Sequence, residues 1–262
     1  MTKDWPLTQA GTKLRLMSYN IQVGIASVRP HHYITQSWKH ILPHSKHIAN
    51  LDQIASLLVD ADIVALQEVD AGSLRSDFVN QTEYLAYKAG FAHWSYQTNR
   101  KFGYFARHSN GLLSQYTPSI VEEHKLPGIV PGRGAIMVQY GEENNPLVVI
   151  MLHLALGKRG RKVQLSYVSD IVRQYEHVVI MGDLNCQARS DEMFRLLMRT
   201  GLRAPGQELK TFPSWHPTRK IDHILVSRSL DICNVKVLNY TFSDHLPISM
   251  DLVVPNTVAL VA

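Results

Sequence analysis

Cysteine is scarce in this chain, and long apolar runs are absent. Two cysteines, Cys186 and Cys233, stand among 262 residues, too few for a disulfide framework, which indicates a reducing compartment. Segment 1–16 holds no apolar run of signal-peptide length. No stretch approaches the roughly 20 apolar residues that a membrane helix needs. We therefore expect a cytoplasmic protein with no stable membrane insertion.

Linkers, low-complexity segments and short-period repeats are also absent. The apolar fraction is 45% and the charged fraction 19%, an ordinary globular composition. We therefore expect one domain over residues 1–262, with its core at about 14–254, and a monomer. Lys and Arg number 27 against 22 for Asp and Glu, a net charge of +5. This mild excess suits an anionic partner or substrate without requiring one.

Short apolar runs alternate with amphipathic helical patterns, which predicts α/β layering with mixed sheets. The predicted strands are 14–21, 62–69, 110–116, 134–140, 147–154, 177–182, 221–227, 232–240 and 246–254. The predicted helices are 45–61 with Ser45 as N-cap, 77–90 ending at Gly90, 161–175, and 190–201 closed by Gly201.

Polar side chains recur where the apolar runs begin or end. They are Asn20, Glu68, His153, Asp183, Asn185, Asp222, His223, Asp244 and His245. A buried charge needs a partner, which is another such group, a metal or a substrate. Each residue alone is also explained by a turn, a cap or ordinary packing. Five such clusters in one chain favour a shared site, and carboxylate and amide oxygens suit Mg²⁺ or Mn²⁺.

The motifs YNIQ, LQEV, LHLALG, GDLN, IDHI and SDHLP follow one another along the chain. The ordered set resembles the endonuclease/exonuclease/phosphatase superfamily, the DNase I-like fold, over nearly the whole chain. The resemblance implies a four-layered α/β/β/α sandwich, with two mixed sheets face to face, helices outside and the active site at one rim. The strand and helix pattern is consistent with that fold but does not specify it.

The resemblance also implies a divalent cation, Mg²⁺ or Mn²⁺. In the family, the residues that match Asn20 and Glu68 hold this ion, and Asp244 would lie near it. Asp183 would orient or deprotonate the attacking water, or protonate the leaving oxygen. Asn185 would help to bind the phosphate or the metal.

Two histidines complete the implied catalytic set. His245 would donate to a phosphate oxygen or act as acid and base, with Asp222 fixing its tautomer. His153 would contact the phosphate. Apurinic endonucleases of the family carry Tyr at this position, and they tend to carry an acid where Gln22 stands, so both departures argue against an abasic-site enzyme.

Three further residues are candidates for substrate binding: Arg133, Asn110 and Arg159. Arg133 could clamp a phosphate or form a structural salt bridge. Arg159 lies in GKRGRK, which could bind extra phosphates or form the solvated start of a helix. Asn110 ends NRKFGYFARHSN, whose basic and aromatic side chains could stack on bases or pack a loop.

Segment 24–47 holds five histidines and lies between Asn20 and the first predicted helix. We expect a loop that covers the substrate; a second metal site is the alternative, although the spacings match no ligand motif.

The sequence thus predicts a metal-dependent phosphodiesterase, with a nuclease as the leading hypothesis. A phospholipid or sphingomyelin-type phosphodiesterase and a small-molecule phosphatase remain alternatives, because fold and metal site do not choose among them. From another class, a catalytically inactive binding module is disfavoured because none of the key acids or histidines is missing.

Overall fold

A computed structural model describes residues 11–24, 46–128, 131–207 and 209–262. Within these ranges there are eleven strands: β1 Gly11–Asn20, β2 Ile63–Asp70, β3 His93–Phe102, β4 Ala106–Ser114, β5 Ile120–Lys125, β6 Gly134–Tyr140, β7 Leu147–His153, β8 His177–Asp183, β9 Asp222–Val226, β10 Asp231–Val237 and β11 Ile248–Pro255. The same ranges contain four α-helices: α1 Lys46–Leu58, α2 Gln81–Ala89, α3 Lys158–Val172 and α4 Asp191–Thr200. None of the helices in these ranges is long and apolar enough to cross a membrane.

The strands form two mixed sheets. The first has the order β10-β11-β1-β2-β4-β3 and the second the order β5-β6-β7-β8-β9. A core of buried side chains from both sheets lies between them, and two further cores lie on the outer faces, under α1 and α2 and under α3 and α4. The architecture is therefore the predicted four-layered α/β/β/α sandwich.

Strand β7 shows why several apolar runs are continuous. Leu147, Val149 and Met151 pack between the sheets, whereas Val148 and Ile150 pack beneath the helices. Successive strand side chains point to opposite faces, so a strand covered on both faces must be apolar throughout. The same reasoning applies to β8.

Local signals place the helix ends. The Asn80 side chain accepts hydrogen bonds from the first turn of α2, and Ser190 accepts one from Met193 N in α4. Gly90 and Gly201 close these helices in the left-handed conformation. The predicted helix 77–90 is wrong at its start, because α2 begins only after this Asn cap. Ser45 lies outside the described residues.

Strands β3 and β5 were not predicted from the sequence. Both lie at sheet edges, and their residues are largely exposed. An edge strand with mixed polar side chains lacks the apolar periodicity that marks a strand. The predicted helix 161–175 is also displaced, since α3 begins at Lys158 and includes most of the basic segment.

Candidate active site

The predicted polar residues meet at one rim of the sandwich because neighbouring strands end there. In the first sheet, Asn20 ends β1, which is parallel to β2, and Glu68 lies near the end of β2. In the second sheet, His153 pairs with Asp183 across parallel strands, and Asp183 pairs with Asp222 across antiparallel strands. The strand register therefore places five of the predicted site residues at the same edge.

Glu68 sits in a β-bulge. The pairing of β2 with β4 shifts register between Leu66 and Val69, and Glu68 has φ of 55°. A non-glycine residue in this left-handed conformation costs about 1–2 kcal/mol, and such strain concentrates at functional sites. The bulge leaves the carboxylate half-exposed, facing a cavity that His153 also lines.

Asp183 is held at the end of β8 by its neighbours. A side chain at Gly182, which has φ of +145°, would collide with the Leu152 carbonyl oxygen in β7, so GDLN requires glycine before the acid. Asp183 Oδ1 accepts a hydrogen bond from Asn185 N at 2.9 Å. Asn185 is itself left-handed, with φ of 51°, and its Nδ2 donates to Leu154 O at 3.0 Å. Asp183 Oδ2 is thereby left facing the other site residues.

Asn20 lies between the two sheets' carboxylates. Its Nδ2 is 3.3 Å from both Glu68 Oε1 and Asp183 Oδ2, and its Oδ1 accepts from Gln22 N at 3.2 Å. A ligand role for Asn20 would need the amide oxygen, rather than the nitrogen, to face the carboxylates.

Two histidines flank Asp183 and differ in charge. His153 Nε2 is 3.6 Å from Asp183 Oδ2, and burial, with Arg133 nearby, holds the pKa of His153 well below its ordinary value. His245 Nε2 is 3.9 Å from the same oxygen, and its Nδ1 is 2.9 Å from Asp222 Oδ2. Burial lowers the pKa of His245, but the Asp222 carboxylate, together with Asp183 and Asp244, raises it to about 10. At neutral pH, His153 is therefore neutral and His245 is a cation.

Three residues that support this pair were not predicted from the sequence. Thr211, fully buried, donates its hydroxyl hydrogen bond to Asp222 Oδ2. The Phe212 ring lies 4.8 Å from the His245 ring, centroid to centroid. Ser243 Oγ donates to Asn20 O at 2.7 Å and accepts from His245 N at 3.3 Å. Their roles depend on contacts between loops, for which the sequence carries no periodic signal.

The donor set fits a divalent cation. Asp183, Asp222 and His245 bring potential ligand atoms within 4.8 Å of one another, but Asp222 and the cationic His245 bind each other, which leaves Asp183 as the available donor of the three. Burial raises the pKa values of Glu68 and Asp183, and nearby Asp244 raises that of Glu68 further. Burial disfavours the charged form of both carboxyl groups, and a cation bound beside them would favour that charged form.

The three predicted substrate contacts lie in different places. Arg133 and Asn110 line the same cavity as Glu68. Asn110 is buried, and its Nδ2 donates a hydrogen bond to Gly134 O at 3.2 Å. The amide nitrogen of Asn110 therefore fixes the backbone next to Arg133. Arg159 is exposed on the first turn of α3 and does not line the cavity. Most of segment 24–47, namely 25–45, lies outside the described residues.

Two reactive-looking residues beside the site face away from it. Cys186 packs in the core under α3 and α4, and burial raises the pKa of its thiol to about 12. His223 is buried, with Nε2 2.9 Å from Cys186 O. Cys186 is therefore a packing residue and not a nucleophile.

Comparisons with known proteins agree with this geometry. No curated protein matches the chain as a sequence relative. Among solved structures, an endonuclease/exonuclease/phosphatase from Beutenbergia cavernae DSM 12333 is 22% identical, with TM-score 0.70, over 93% of this chain and 72% of that one. A mannosyl-6-phosphatase from Bacteroides thetaiotaomicron VPI-5482 is 16% identical, with TM-score 0.68, over 92% and 99%.

A third structure, that of ANGEL2, a 2′,3′-cyclic phosphatase, is 13% identical, with TM-score 0.67, over 92% of this chain and 95% of that one. Identities this low show a shared fold. The model of the endonuclease/exonuclease/phosphatase family matches residues 17–245, which include every predicted catalytic and metal-binding residue. The chain therefore belongs to the endonuclease/exonuclease/phosphatase family, whose members hydrolyse phosphoester bonds.

Proposed function

We propose that this chain is a Mg²⁺- or Mn²⁺-dependent phosphodiesterase, and that nucleic acid is its preferred substrate class. The observation that carries the proposal is the position of Asp183 Oδ2. This oxygen lies 3.6 Å from His153 Nε2 and 3.9 Å from His245 Nε2. A carboxylate between two histidines at a rim cavity is suited to direct a water molecule at a phosphorus atom.

The cation would be held by Glu68, by Asn20 through its amide oxygen, and by Asp244. When bound, it would neutralise charge on the phosphate and polarise its P–O bonds. Asp244 is buried, and its Oδ1 lies 3.1 Å from Ser243 Oγ. The half-exposed Glu68 carboxylate is the member of this set that faces the cavity directly.

Asp183 acts as the base for the attacking water. Burial raises its pKa, and a more basic carboxylate accepts a proton more readily in the transition state. Asn185 N fixes one oxygen of the carboxylate and so orients the other. His245, held as a cation by Asp222, donates from Nε2 to a phosphate oxygen or to the leaving group.

The non-reacting phosphate oxygens are contacted by His153 and Arg133. Among the described residues, Arg133 has no salt-bridge partner, while the charges of Glu68 and Asp183 act on it. A guanidinium without a carboxylate partner, lining the cavity, is suited to bind a phosphate. The structural salt bridge considered as its alternative role is not formed within the described ranges.

The basic and aromatic residues of the β3–β4 hairpin favour nucleic acid over the other phosphodiesters. Arg100 and Phe102 line the cavity, and Tyr104 is exposed at the hairpin tip. Such side chains stack on bases and contact backbone phosphates. A phospholipid or a small phosphoester uses the same carboxylate chemistry, so these substrates belong in the test. The monomeric state and the cytoplasmic location remain predictions.

The proposal is tested with a substrate panel in Mg²⁺ and in Mn²⁺. The panel contains single- and double-stranded DNA, RNA, sphingomyelin, other phospholipids and phosphomonoesters. We expect hydrolysis of nucleic acid, its loss in excess EDTA, and its loss in His245→Ala but not in the control His93→Ala. Hydrolysis confined to lipids or to monoesters would overturn the substrate class, and full activity in EDTA would overturn the metal dependence.

A further inference from the structure

A cavity of about 490 Å³ extends from the carboxylates toward strands β3 and β4. Its inner end is lined by Glu68 and His153, and its outer end by Arg100, Phe102 and His108. We call it the hairpin cavity. Its volume lies within the range of ordinary small-molecule sites and exceeds what one phosphate fills. A substrate that occupies it therefore extends beyond the phosphate under attack.

Arg100 is held in place at the outer end of the hairpin cavity. Its guanidinium carbon lies 4.3 Å from the centroid of the Phe102 ring, a distance at which a cation is attracted to an aromatic face. A Cβ added to Gly132 would come within 3.3 Å of Arg100 Cβ and Cδ, so the loop before β6 packs closely on the arginine stem. Both contacts reduce the freedom that the guanidinium would lose on binding an anion.

Within the described residues, no carboxylate neutralises the positive charge of the outer end. Arg75 and Arg161 are ion-paired with Asp70 and Glu192, whereas Arg100 has no salt bridge to any residue in the described ranges. Glu68, at the inner end, is the one acid that lines the cavity among those residues. The outer end therefore presents an arginine that is oriented, unpaired and accessible.

The ionisation of His108 is consistent with this charge. Burial, then Arg75, and more weakly Arg100 and Arg133, lower the pKa of His108 to about 4, against the opposing effect of Asp70. A neutral His108 leaves the arginines as the charged groups of the outer wall.

The geometry points to a subsite for a second phosphate of the substrate, which Arg100 binds while the first phosphate lies among the carboxylates and histidines. This inference rests on the proposed function and specifies its substrate as a bisphosphate, or a longer phosphate chain, with a sugar-sized spacer. Two sources share that chemistry: the next nucleotide of a nucleic acid strand, and a phosphorylated inositol headgroup.

The test measures binding by calorimetry without added metal, so that no turnover occurs. One arm compares thymidine 3′,5′-bisphosphate with the two thymidine monophosphates, and the other compares inositol 1,4-bisphosphate with inositol 1-phosphate. In at least one arm, we expect the wild-type chain to bind the bisphosphate at least about tenfold more tightly than it binds the corresponding monophosphates. A factor of this size is the effect of one charge-assisted hydrogen bond. The arm that shows this preference identifies the source.

Arg100→Gln should reduce the preference to within about twofold, and Arg100→Lys should retain part of it. The matched control is Lys101→Gln, because Lys101 is exposed on the same strand but does not line the cavity. Equal affinities in both arms, or a preference that survives Arg100→Gln in a variant with wild-type Tm, would overturn the subsite. Hydrolysis of bis-p-nitrophenyl phosphate, measured separately, reports on the proposed function alone.

Discussion

Thr211→Val tests how His245, the proposed catalytic histidine, is positioned. Asp222 Oδ2 accepts hydrogen bonds from Thr211 Oγ1 and from His245 Nδ1, while Asp222 Oδ1 is buried with no hydrogen-bond partner among the described residues. Valine keeps the shape of threonine but removes the hydroxyl, so that the carboxylate keeps only its bond to His245. A hydrogen bond to a charged group contributes about 1.5–3 kcal/mol. The variant should lose about this much free energy of unfolding.

That loss corresponds to a fall in Tm of about 3–12 °C for a domain of this size. Because Thr211 orients Asp222, and Asp222 orients His245, kcat should fall about 10- to 100-fold, the range typical of a group that positions a catalytic ligand. KM for bis-p-nitrophenyl phosphate should stay within about twofold, since Thr211 is fully buried. Scanning calorimetry and steady-state kinetics measure the two effects.

Thr211→Ser is the matched control, because it retains the hydroxyl and should recover most of kcat. The reasoning is refuted if Thr211→Val keeps both wild-type kcat and wild-type Tm. A rise in KM with unchanged kcat would also contradict it, because Thr211 would then affect binding and not orientation.

Two further predictions concern stability. Asp70→Asn should lower the free energy of unfolding by about 3–5 kcal/mol, since it leaves Arg75 buried without its carboxylate. Although burial opposes the shift, Arg75 holds the pKa of Asp70 below its ordinary value. Urea titrations should therefore show the full loss of unfolding free energy in Asp70→Asn, relative to wild type, above about pH 3.9. This loss should become smaller as the pH falls below that value. A loss that becomes larger in acid would contradict the prediction. Gly182→Ala should cost roughly 2 kcal/mol or more, because its Cβ meets Leu152 O, whereas Gly206→Ala, with open space around it, should unfold like wild type.

The sequence predicts the central strands well because burial on both faces leaves an uninterrupted apolar run. Strands β6 and β8 were placed within a residue of their observed ends for this reason. The edge strand β3 escaped prediction because its side chains alternate only weakly and remain largely exposed. This strand forms the outer wall of the hairpin cavity, so the proposed second-phosphate subsite depends on its position.

The sequence identified the residues at the rim from their positions at the ends of strands. It did not predict which of these residues contact one another. The pairing of Asp222 with His245 was expected only from the family resemblance, and the structure shows the hydrogen bond. The bulge at Glu68 depends on the register between β2 and β4, which no local pattern specifies. Thr211 was missed because its role depends on one hydroxyl that approaches Asp222 from a neighbouring loop.

The most direct test of the central claim is the rate of bis-p-nitrophenyl phosphate hydrolysis by wild type and Asp183→Asn, each with Mn²⁺ and with excess EDTA. Asp60→Asn, an exposed acid on the surface, is the control. The account predicts hydrolysis by wild type and by the control only with metal, and a loss of roughly 10²–10⁴-fold in Asp183→Asn, the usual contribution of a general base. Wild-type rates in Asp183→Asn, or metal-independent hydrolysis by the native chain, would contradict it.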